Sequence, residues 1–507
     1  MISIDGGTPI PFEILALLII LAGLITFISL KMRRSKTEKH YPTYDYLKIN
    51  IVRWMAKSRV FRFLIQLSFV ATFIFIIVGG FVGAQAPDNL SVILSWTYWW
   101  VLVIIFILFM AKIWCFLCPW IAIVNWLQRR TLWKVVKEKD VWGLHRRWPK
   151  RWANIYIATF LFILLVWLEL AFKITAKPFA TSMLALGFMG MVAVGLLIYR
   201  RKEFCRYACL VGRVSGLYAN FSALEVRARD KEVCKKCTTK DCLNGNERGY
   251  GCPTYQLLQT MDHNTYCITC LECVKTCPYD NVAVNARPLG IDLVKSRTLR
   301  VDEAYLAIIM LALTMFHGIT MIPHWDDILS SIEVIAGLGY YASFTIGMAG
   351  IILLPMGTHL IFSWASKALS GDKNIPLKNV FINYAYPLIP VAFLFHAGHN
   401  FEHILMEGQK IVPALSDPLG WGWNLFGTAA WELGPIASEW LIVWLQIFLI
   451  IVGVIYGVWI TCKRSKKIFN DDGQALRSVI PIVMCVLLSS IVNLWLLSQP
   501  MVLRTAM

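Results

Sequence analysis

Apolar stretches long enough to cross a membrane recur along the whole sequence. A helix needs ~20 predominantly apolar residues to cross a hydrocarbon core of ~30 Å. Hydrophobic residues make up 57% of the chain, above the ~45–50% of an ordinary soluble domain. The pattern predicts an all-α polytopic membrane protein with about ten transmembrane helices, around residues 12–31, 62–84, 92–113, 153–172, 181–199, 303–322, 334–363, 381–405, 440–461 and 478–498.

The distribution of Lys and Arg predicts the orientation of these helices, because cytoplasmic loops carry an excess of basic residues. Segment 31–62 contains ten Lys or Arg residues and segment 125–152 contains nine, whereas 85–91 contains none and 408–439 contains only Lys410. We therefore expect a multi-pass inner (cytoplasmic) membrane protein with both termini outside. Acidic residues precede the first span and basic residues follow it, which indicates a retained anchor rather than a signal peptide.

The formal net charge of +18 does not require a nucleic acid partner. The basic residues are concentrated beside the spans, where membrane topology and anionic lipid account for them. The sequence contains neither a Walker pattern nor a glycine-rich nucleotide fingerprint after a strand. We expect membrane lipid as a partner and no nucleic acid.

One polar region of domain size, residues 200–300, interrupts the spans and contains ten of the fourteen cysteines. It separates an N-terminal membrane domain of five spans, 1–199, from a C-terminal membrane domain of five spans, 301–507. The basic flanks place it in the cytoplasm, where reducing conditions disfavour structural disulfides. Metal ligation or redox chemistry is the better explanation for so many thiols. Cys462 and Cys485 stand apart, and we interpret them as packing residues.

The stretch CITCLECVKTCP carries Cys267, Cys270, Cys273 and Cys277 in the pattern C-x2-C-x2-C-x3-C-P. Three closely spaced thiolates can hold three corners of a [4Fe–4S] cluster, and in two-cluster ferredoxins the fourth cysteine binds the other cluster. A zinc site, the alternative, normally uses two well separated C-x2-C pairs. The pattern predicts a cytoplasmic two-cluster ferredoxin-like α+β domain.

A stretched copy of this motif lies upstream, in CKKCTTKDCLNGNERGYGCP. Zinc remains an alternative there, because the spacing is less diagnostic. Crossed ligation predicts two sets of four cysteines. The first set is Cys234, Cys237, Cys242 and Cys277, and the second set is Cys267, Cys270, Cys273 and Cys252.

Two further cysteine pairs lie where spans meet the cytoplasm. They are Cys115 and Cys118 in WCFLCPW, and Cys205 and Cys209 in FCRYACLVGR. Each pair follows a two-span hairpin, so folding could bring the four thiols together at the inner membrane surface. A third iron–sulfur centre, a reversible dithiol and simple packing all remain open.

Membrane-edge cysteine pairs followed by a two-cluster motif resemble the NapH, NosR and CcoG group of polytopic membrane ferredoxins. The resemblance covers roughly residues 60–285. That group usually has C-x3-C-P pairs, whereas here Cys115 and Cys118 are separated by two residues and Leu210 replaces the second proline. The resemblance implies electron transfer between the quinone pool, or a soluble cytoplasmic donor, and a redox partner protein on either face of the membrane.

Histidines cluster in the C-terminal membrane domain. His396, His399 and His403 share one face of the eighth span, and His317 has a similar depth in the sixth. They fit structural hydrogen bonding, a b-type haem held by His317 and either His396 or His399, or a copper or zinc site, with Met315, Met321 and Met406 nearby. His359, in the seventh span, could mark a quinone pocket.

Two classes of function follow from these residues. The first is a membrane-bound iron–sulfur protein, a probable electron-transfer oxidoreductase component, that passes electrons between quinone or a cytoplasmic donor and a redox partner. The alternative is a protein that handles copper or another metal, or that matures a metalloenzyme with electrons from the clusters. The sequence does not give the direction of electron flow.

Overall fold

A computed structural model describes residues 11–32, 41–295 and 299–500. The termini that we predicted to be outside, residues 1–10 and 501–507, lie beyond these ranges. Within the described ranges the chain is mostly helical, and nine helical segments are long and apolar enough to cross a membrane. This agrees with the prediction of a multi-pass membrane protein.

The N-terminal part is a series of helices, with a long connection, residues 130–155, between α7 and α8. In chain order the elements are α1 (Phe12–Met32), β1 (Tyr44–Asp45), α2 (Asn50–Lys57), α3 (Arg59–Val82), α4 (Leu90–Val92), a π-helix (Ile93–Trp100), α5 (Val101–Met110), α6 (Ile113–Leu117), α7 (Pro119–Arg129), α8 (Tyr156–Ala171) and α9 (Pro178–Ile198). Short 3₁₀ turns cover Tyr46–Lys48, Glu138–Asp140, Lys150–Trp152 and Ile174–Ala176. Ser58 caps α3 by accepting a hydrogen bond from the Phe61 N–H at 3.1 Å.

The segment predicted as a span around 153–172 is shorter than expected. It forms α8, a helix of 16 residues, which is ~24 Å long at 1.5 Å per residue and falls short of a ~30 Å core. Its start is fixed where the Ile155 N–H donates to Asp302 at 3.0 Å, and Lys173 just beyond its end has a left-handed backbone. Nine spans of full length, rather than ten, are therefore supported.

The polar insertion combines short helices with a small sheet. Its elements are α10 (Glu203–Tyr207), α11 (Leu210–Tyr218), β2 (Leu224–Ala228), α12 (Lys231–Lys236), α13 (Asp241–Asn244), β3 (Gly245–Asn246), β4 (Gly249–Tyr250), α14 (Glu272–Thr276), β5 (Val282–Ala286) and α15 (Ile291–Lys295). Strand β5 pairs antiparallel with β2 on one side and with β1 on the other, while β3 and β4 form a separate antiparallel pair.

Strand β1 comes from outside the predicted limits of the insertion, 200–300. It belongs to the segment between α1 and α3, where residues of mixed polarity gave no domain signal. Asp45 in this strand accepts a hydrogen bond from the Arg229 guanidinium at 2.9 Å and another from the Val284 N–H at 3.1 Å. Residues 41–57 are thus part of the folded unit that surrounds the cysteines.

The C-terminal part contains the longest helices. They are α16 (Val301–Ile319), α17 (His324–Ala336), α18 (Tyr340–Ser370), α19 (Leu377–Ala385), α20 (Leu388–Glu407), α21 (Ile411–Ser416), α22 (Glu439–Ile468) and α23 (Asp472–Leu497), with a 3₁₀ turn at Gly408–Lys410. Most side chains of α16 and α20 are buried, so these two helices form the centre of the bundle. Buried Glu303 joins this part to the insertion, because it accepts hydrogen bonds from the Tyr266 and Tyr386 hydroxyls at 2.8 and 2.7 Å.

Candidate functional site

The first predicted cysteine set lies around one small cavity. Cys234, Cys237, Cys242 and Cys277 all line it. Burial raises the pKa of the Cys242 thiol, and the other three thiols raise it further. The structure therefore brings together cysteines that are separated by up to 43 positions along the chain, counting from 234 to 277.

The four cysteines of the second predicted set influence one another electrostatically. Burial raises the pKa of Cys273 well above its usual value, and Cys270, Cys267 and Cys252 raise it further, in that order. Cys270 is buried, and Cys252 also raises the pKa of its thiol. Cys242 of the first set contributes a smaller upward shift to the pKa of Cys273.

Backbone and side-chain N–H groups point at several of these sulfur atoms. The Asn281 N–H donates to Cys277 Sγ at 3.3 Å, and its side-chain amide donates to Cys234 Sγ at 3.4 Å. In the second set the Gln256 N–H donates to Cys252 Sγ at 3.2 Å. Hydrogen bonds to sulfur are one of the means by which a protein sets the reduction potential of an iron–sulfur cluster.

The two membrane-edge pairs have matching local structures. The first cysteine of each pair lies on a short helix, Cys115 on α6 and Cys205 on α10. The second cysteine is the N-cap of the next helix, Cys118 before α7 and Cys209 before α11. Pro119 begins α7 directly after Cys118, which suits the first helical position. Two helix N-termini, which favour negative charge, thus adjoin the thiols.

The four thiols of these pairs also interact with one another. Burial raises the pKa of Cys118, and Cys115, Cys209 and Cys205 add to the shift. Cys115, Cys118 and Cys205 are buried, whereas Cys209 is half-buried. The four thiols are therefore close enough to influence one another's pKa, and a shared centre at the two pairs stays a prediction. We refer to them as the cysteine quartet.

Buried cations adjoin the cysteine quartet, and sequence reasoning missed them. Lys112, Lys202 and Arg213 have relative exposures of 0%, 5% and 1%. Burial and the nearby Arg213 lower the pKa of Lys112 to about 8, while Cys115 and Cys209 act in the opposite direction. Lys112 Nζ has no hydrogen-bond partner among the described residues. A buried cation without a partner is costly, so this arrangement fits an anionic group at the quartet. The signal that could have found Lys112 is a lysine in the apolar run FMAKIW.

A large apolar cavity opens beside the cysteine quartet. Its volume is about 330 Å³, and its walls come from α3, the segment Leu90–Met110, α9 and the residues around Lys112. The π-helix, a form often found at functional sites, supplies part of the wall. Among the described residues, four buried donors that line the cavity have no hydrogen-bond partner: Lys112 Nζ and the indole Nε1 atoms of Trp99, Trp114 and Trp120.

His359, the residue at which we predicted a quinone pocket, is not part of the apolar cavity. It is buried between α18 and α19, where Nε2 lies 3.0 Å from the Phe381 carbonyl oxygen. The quinone pocket suggested at His359 stays a prediction.

The predicted histidine cluster is present at the centre of the bundle. The rings of His317 and His399 are 5.7 Å apart between centroids, and His399 Nε2 is 3.3 Å from His403 Nε2. His396 lies at the same small cavity as His317 and His399. His324, by contrast, is exposed.

Sequence reasoning missed three buried carboxylates beside these histidines. Glu169 Oε1 lies 3.6 Å from His317 Nε2, Glu402 lies 4.0 Å from His399, and Glu407 lies 3.7 Å from His403. All three carboxylates are at most 7% exposed. The available signal was an acidic residue inside an apolar helix, in WLEL, FEHIL and LMEG.

The space between the histidines does not fit a haem. The cavity among His317, His396 and His399 has a volume of about 10 Å³, about that of a single water site. The short separation and the tilt of 61° between the His317 and His399 rings leave no slot for a macrocycle. None of the described residues lining this cavity is a methionine.

Across the described part of the chain, no group of three or more His, Cys, Asp or Glu side chains is placed to hold a single metal ion. No protein-family model, curated protein or solved structure matches this chain. The resemblance to the NapH, NosR and CcoG group thus rests on the motifs alone.

Proposed function

We propose that this protein is a membrane-bound iron–sulfur protein that transfers electrons between a partner at the polar insertion and a quinone in the membrane. The observation that supports the proposal is that Cys234, Cys237, Cys242 and Cys277, the first crossed set, line one cavity. The thiols of the second set influence one another electrostatically. Four thiolates per set match the ligand requirement of a [4Fe–4S] cluster, which supplies one-electron redox chemistry when bound. The insertion then acts as a two-cluster ferredoxin-like domain.

The two sets differ in burial, and this supports a direction of approach for a soluble partner. Cys237 in the first set is half-buried, whereas Cys270 in the second set is buried. Cys270 packs with Cys115 of the cysteine quartet and with Ile268. We therefore place the first set at the surface that a partner approaches, and the second set next to the membrane edge.

We further propose that the cysteine quartet holds a third iron–sulfur centre. Four neutral thiols would leave Lys112, Lys202 and Arg213 as buried positive charges without compensation. Four thiolates around an iron–sulfur core carry a net negative charge, which these cations and the N-termini of α7 and α11 stabilise. The same cations would serve packing thiols poorly.

The apolar cavity beside the quartet suits an isoprenoid quinone. Quinone carbonyl oxygens accept hydrogen bonds, and the cavity offers Lys112 Nζ and the indole N–H groups of Trp99, Trp114 and Trp120 as donors. Its remaining walls are apolar, as a prenyl tail requires. Phe106, which lines the cavity, is 42% exposed on the lipid-facing side of the bundle, where a tail could enter.

Metal analysis of anaerobically purified protein tests the iron–sulfur proposal. We expect about twelve iron and twelve sulfide per chain for three [4Fe–4S] centres, and about eight of each if the quartet binds none. Cys205→Ser should lower the iron content by about four, whereas Cys462→Ser, at an unrelated thiol, should leave it unchanged. Stoichiometric zinc with no sulfide in fresh protein would contradict the proposal.

The quinone proposal is tested with the same preparation. A short-tailed quinone should reoxidise the reduced protein. The oxidation should be followed as the return of the visible absorption of the clusters. Trp99→Phe combined with Trp120→Phe removes two donors while keeping aromatic walls, and should weaken quinone binding. Trp421→Phe, at an exposed indole, is the matched control. Equal quinone affinity in both variants would place the quinone elsewhere.

A further inference from the structure

A row of polar side chains runs along one face of α20 and into the turn that follows. From the middle of the bundle outward it consists of His396, His399, His403, Glu407 and Lys410. His399 and His403 are 3.3 Å apart between Nε2 atoms, His403 Nδ1 is 3.7 Å from Glu407 Oε2, and Glu407 Oε1 accepts a hydrogen bond from Lys410 Nζ at 3.4 Å.

The file continues at its inner end. Tyr218, at the end of α11, has its hydroxyl 3.4 Å from His396 Nδ1. His396 and His399 both line the small cavity, which has room for about one water. We call Tyr218, His396, His399, His403, Glu407 and Lys410 the histidine file.

Other titratable groups face the histidine file from neighbouring helices. His317 on α16 contacts His399 and lies beside Glu169 on α8. Glu402, one turn from His399, accepts a hydrogen bond from the Gln446 side chain of α22 at 2.9 Å. Each imidazole of this group thus has a carboxylate, another imidazole or a hydroxyl within about hydrogen-bonding reach, as stepwise proton exchange requires.

The two ends of the histidine file lie in different surroundings. At one end Lys410 has a side chain that is 37% exposed, whereas Glu407 and His403 are almost completely buried. This end lies at the far end of α20 from Tyr386, which contacts the insertion through Glu303. The file therefore reaches the surface on the face of the membrane bundle opposite the polar insertion.

At its other end the file meets the apolar cavity. Trp100 belongs to the walls of both the small histidine cavity and the large apolar cavity. Its ring centroid is 6.2 Å from that of His396. Ser215, one helical turn before Tyr218, also lines the apolar cavity. A proton that reaches Tyr218 or His396 is thus one side chain away from the proposed quinone.

We propose that the histidine file conducts protons between the membrane face opposite the insertion and the apolar cavity. This inference rests on the proposed function, in which the cavity holds a quinone. Reduction of a quinone to a quinol takes up two electrons, supplied by the reduced iron–sulfur centres, and two protons, supplied through the file. Oxidation of a quinol returns two electrons to those centres and releases two protons along the same path.

The burial of so many ionisable groups supports conduction over simple packing. Polar and charged groups at membrane depth are costly, and they are retained mainly where they carry ions or protons. A single hydrogen bond would have been enough to join two helices, whereas this file includes three histidines and one glutamate on successive turns of a single helix. The close His399 to His403 contact joins groups on one helix and so does not serve to hold two helices together.

Proteoliposomes that contain the full-length protein with its clusters provide the test. Reduced methyl viologen supplies electrons, a short-tailed quinone accepts them, and pH dyes report proton uptake from each side. We expect two protons per quinone from the face opposite the insertion. His403→Ala and Glu407→Gln should each slow proton uptake and quinone reduction about tenfold or more. The matched controls are His324→Ala and Glu439→Gln, whose side chains are exposed, and both should behave as the unchanged protein.

Iron content and gel filtration separate loss of conduction from loss of folding, and His399→Ala provides a third variant along the same path. Proton uptake from the insertion face, or unchanged rates in His403→Ala and Glu407→Gln, would overturn the proton path while leaving the proposed function intact.

Infrared spectra of the resting protein, without quinone or reductant, give a readout that is independent of electron transfer. Acidification should produce a protonated carboxyl band that Glu407→Gln lacks, and this band should exchange with deuterium. If iron-loaded protein reduces no quinone, the proposed function fails, and the infrared result then decides whether the file still exchanges protons. A silent infrared response at Glu407 would overturn the proton path on its own.

Discussion

The cysteine-rich region and the histidine file both bury polar groups, but they compensate them with opposite partners. Beside the cysteine quartet, the buried neighbours are the cations Lys112, Lys202 and Arg213. Beside the histidine file, they are the carboxylates of Glu169 and Glu402. Fixed positive charge next to thiols favours an anionic redox centre. Carboxylates next to imidazoles favour groups that gain and lose protons.

If both proposals hold, this difference separates electron transfer and proton transfer in space. The cysteines occupy the insertion and the adjoining membrane edge, and the histidine file leads away from them to the opposite face. The apolar cavity adjoins both regions, because Lys112 and Trp100 line it and Trp100 also lines the small histidine cavity. Quinone chemistry needs both electrons and protons, so a cavity that adjoins both regions suits the proposed quinone.

The largest expected effect comes from removing a ligand of the second cysteine set. Cys273→Ser should lower the iron content by about four and weaken the insertion, because a bound cluster contributes to folding. Iron analysis and electron paramagnetic resonance of the reduced protein would measure the loss. Cys485→Ser, a buried thiol in α23 far from the insertion, is the control. Equal iron content in the two variants would remove the basis for treating the cysteine-rich region as a redox region.

The next effect concerns the cation that distinguishes the two regions. Lys112→Met should reduce the rate of quinone reduction about tenfold or more, because a buried charge near the reacting groups is lost. Iron bound by the eight cysteines of the insertion should remain. Lys139→Met, at an exposed lysine of the basic segment 125–152, is the control. If both variants reduce quinone at the same rate, the charge of Lys112 has no part in quinone reduction. The contrast between cations at the cysteine quartet and carboxylates at the histidine file would then carry no functional information.

Much of this arrangement was predictable from the sequence, and the remainder depended on tertiary contacts. The apolar runs predicted the long helices, and the spacing of Cys267, Cys270 and Cys273 predicted which thiols would gather. Helical periodicity placed His396, His399 and His403 on one face. These are local signals, because they depend on residues that are close along the chain.

The parts that could not be predicted depend on distant segments. Strand β1 has only two residues and becomes visible only through its pairing with β5. The apolar cavity needs helices from three parts of the chain, and the neighbour of His317 is Glu169, 148 positions earlier. The haem prediction assumed that two helices leave room for a macrocycle, whereas side-chain packing between α16 and α20 fills that space.

Glu272, inside the cysteine-rich region, allows a further test of the comparison between that region and the histidine file. Burial alone would raise the pKa of Glu272, but Arg62, Lys275 and the Tyr250 N–H lower it to about 2. The folded-state pKa thus lies below the ~4.3 of an unfolded glutamate, so the ionised group stabilises the fold above about pH 4. This contribution is lost as the pH falls from about 4 towards 2.

Glu272→Gln should therefore lower the free energy of unfolding of the insertion by about 3 kcal/mol at neutral pH. It should also flatten the loss of stability in acid. Urea titrations followed by cluster absorption would measure both. Glu232→Gln, whose side chain is 68% exposed, should change little. If the free energy of unfolding of Glu272→Gln falls in acid as steeply as that of the unchanged protein, the surrounding cations do not stabilise the ionised Glu272 carboxylate.

The smallest expected effect lies at the first cysteine set, where one side-chain hydrogen bond can be removed. Asn281→Ala deletes the amide that donates to Cys234 Sγ at 3.4 Å, while the backbone N–H to Cys277 Sγ remains. Reduction adds negative charge that such donors stabilise, so the reduction potential of this centre should fall by on the order of tens of millivolts. The second set should keep its potential.

Asn285→Ala, on β5 but bonded to Glu225 instead of a thiol, is the control. Because the Asn281 amide also donates to the Asp230 carbonyl at 2.6 Å, the comparison is valid only at unchanged iron content. If the potential is unshifted at that iron content, the backbone amides alone set the electrostatics of the sulfur atoms. If the potentials of both sets shift equally, the two centres are not reduced independently.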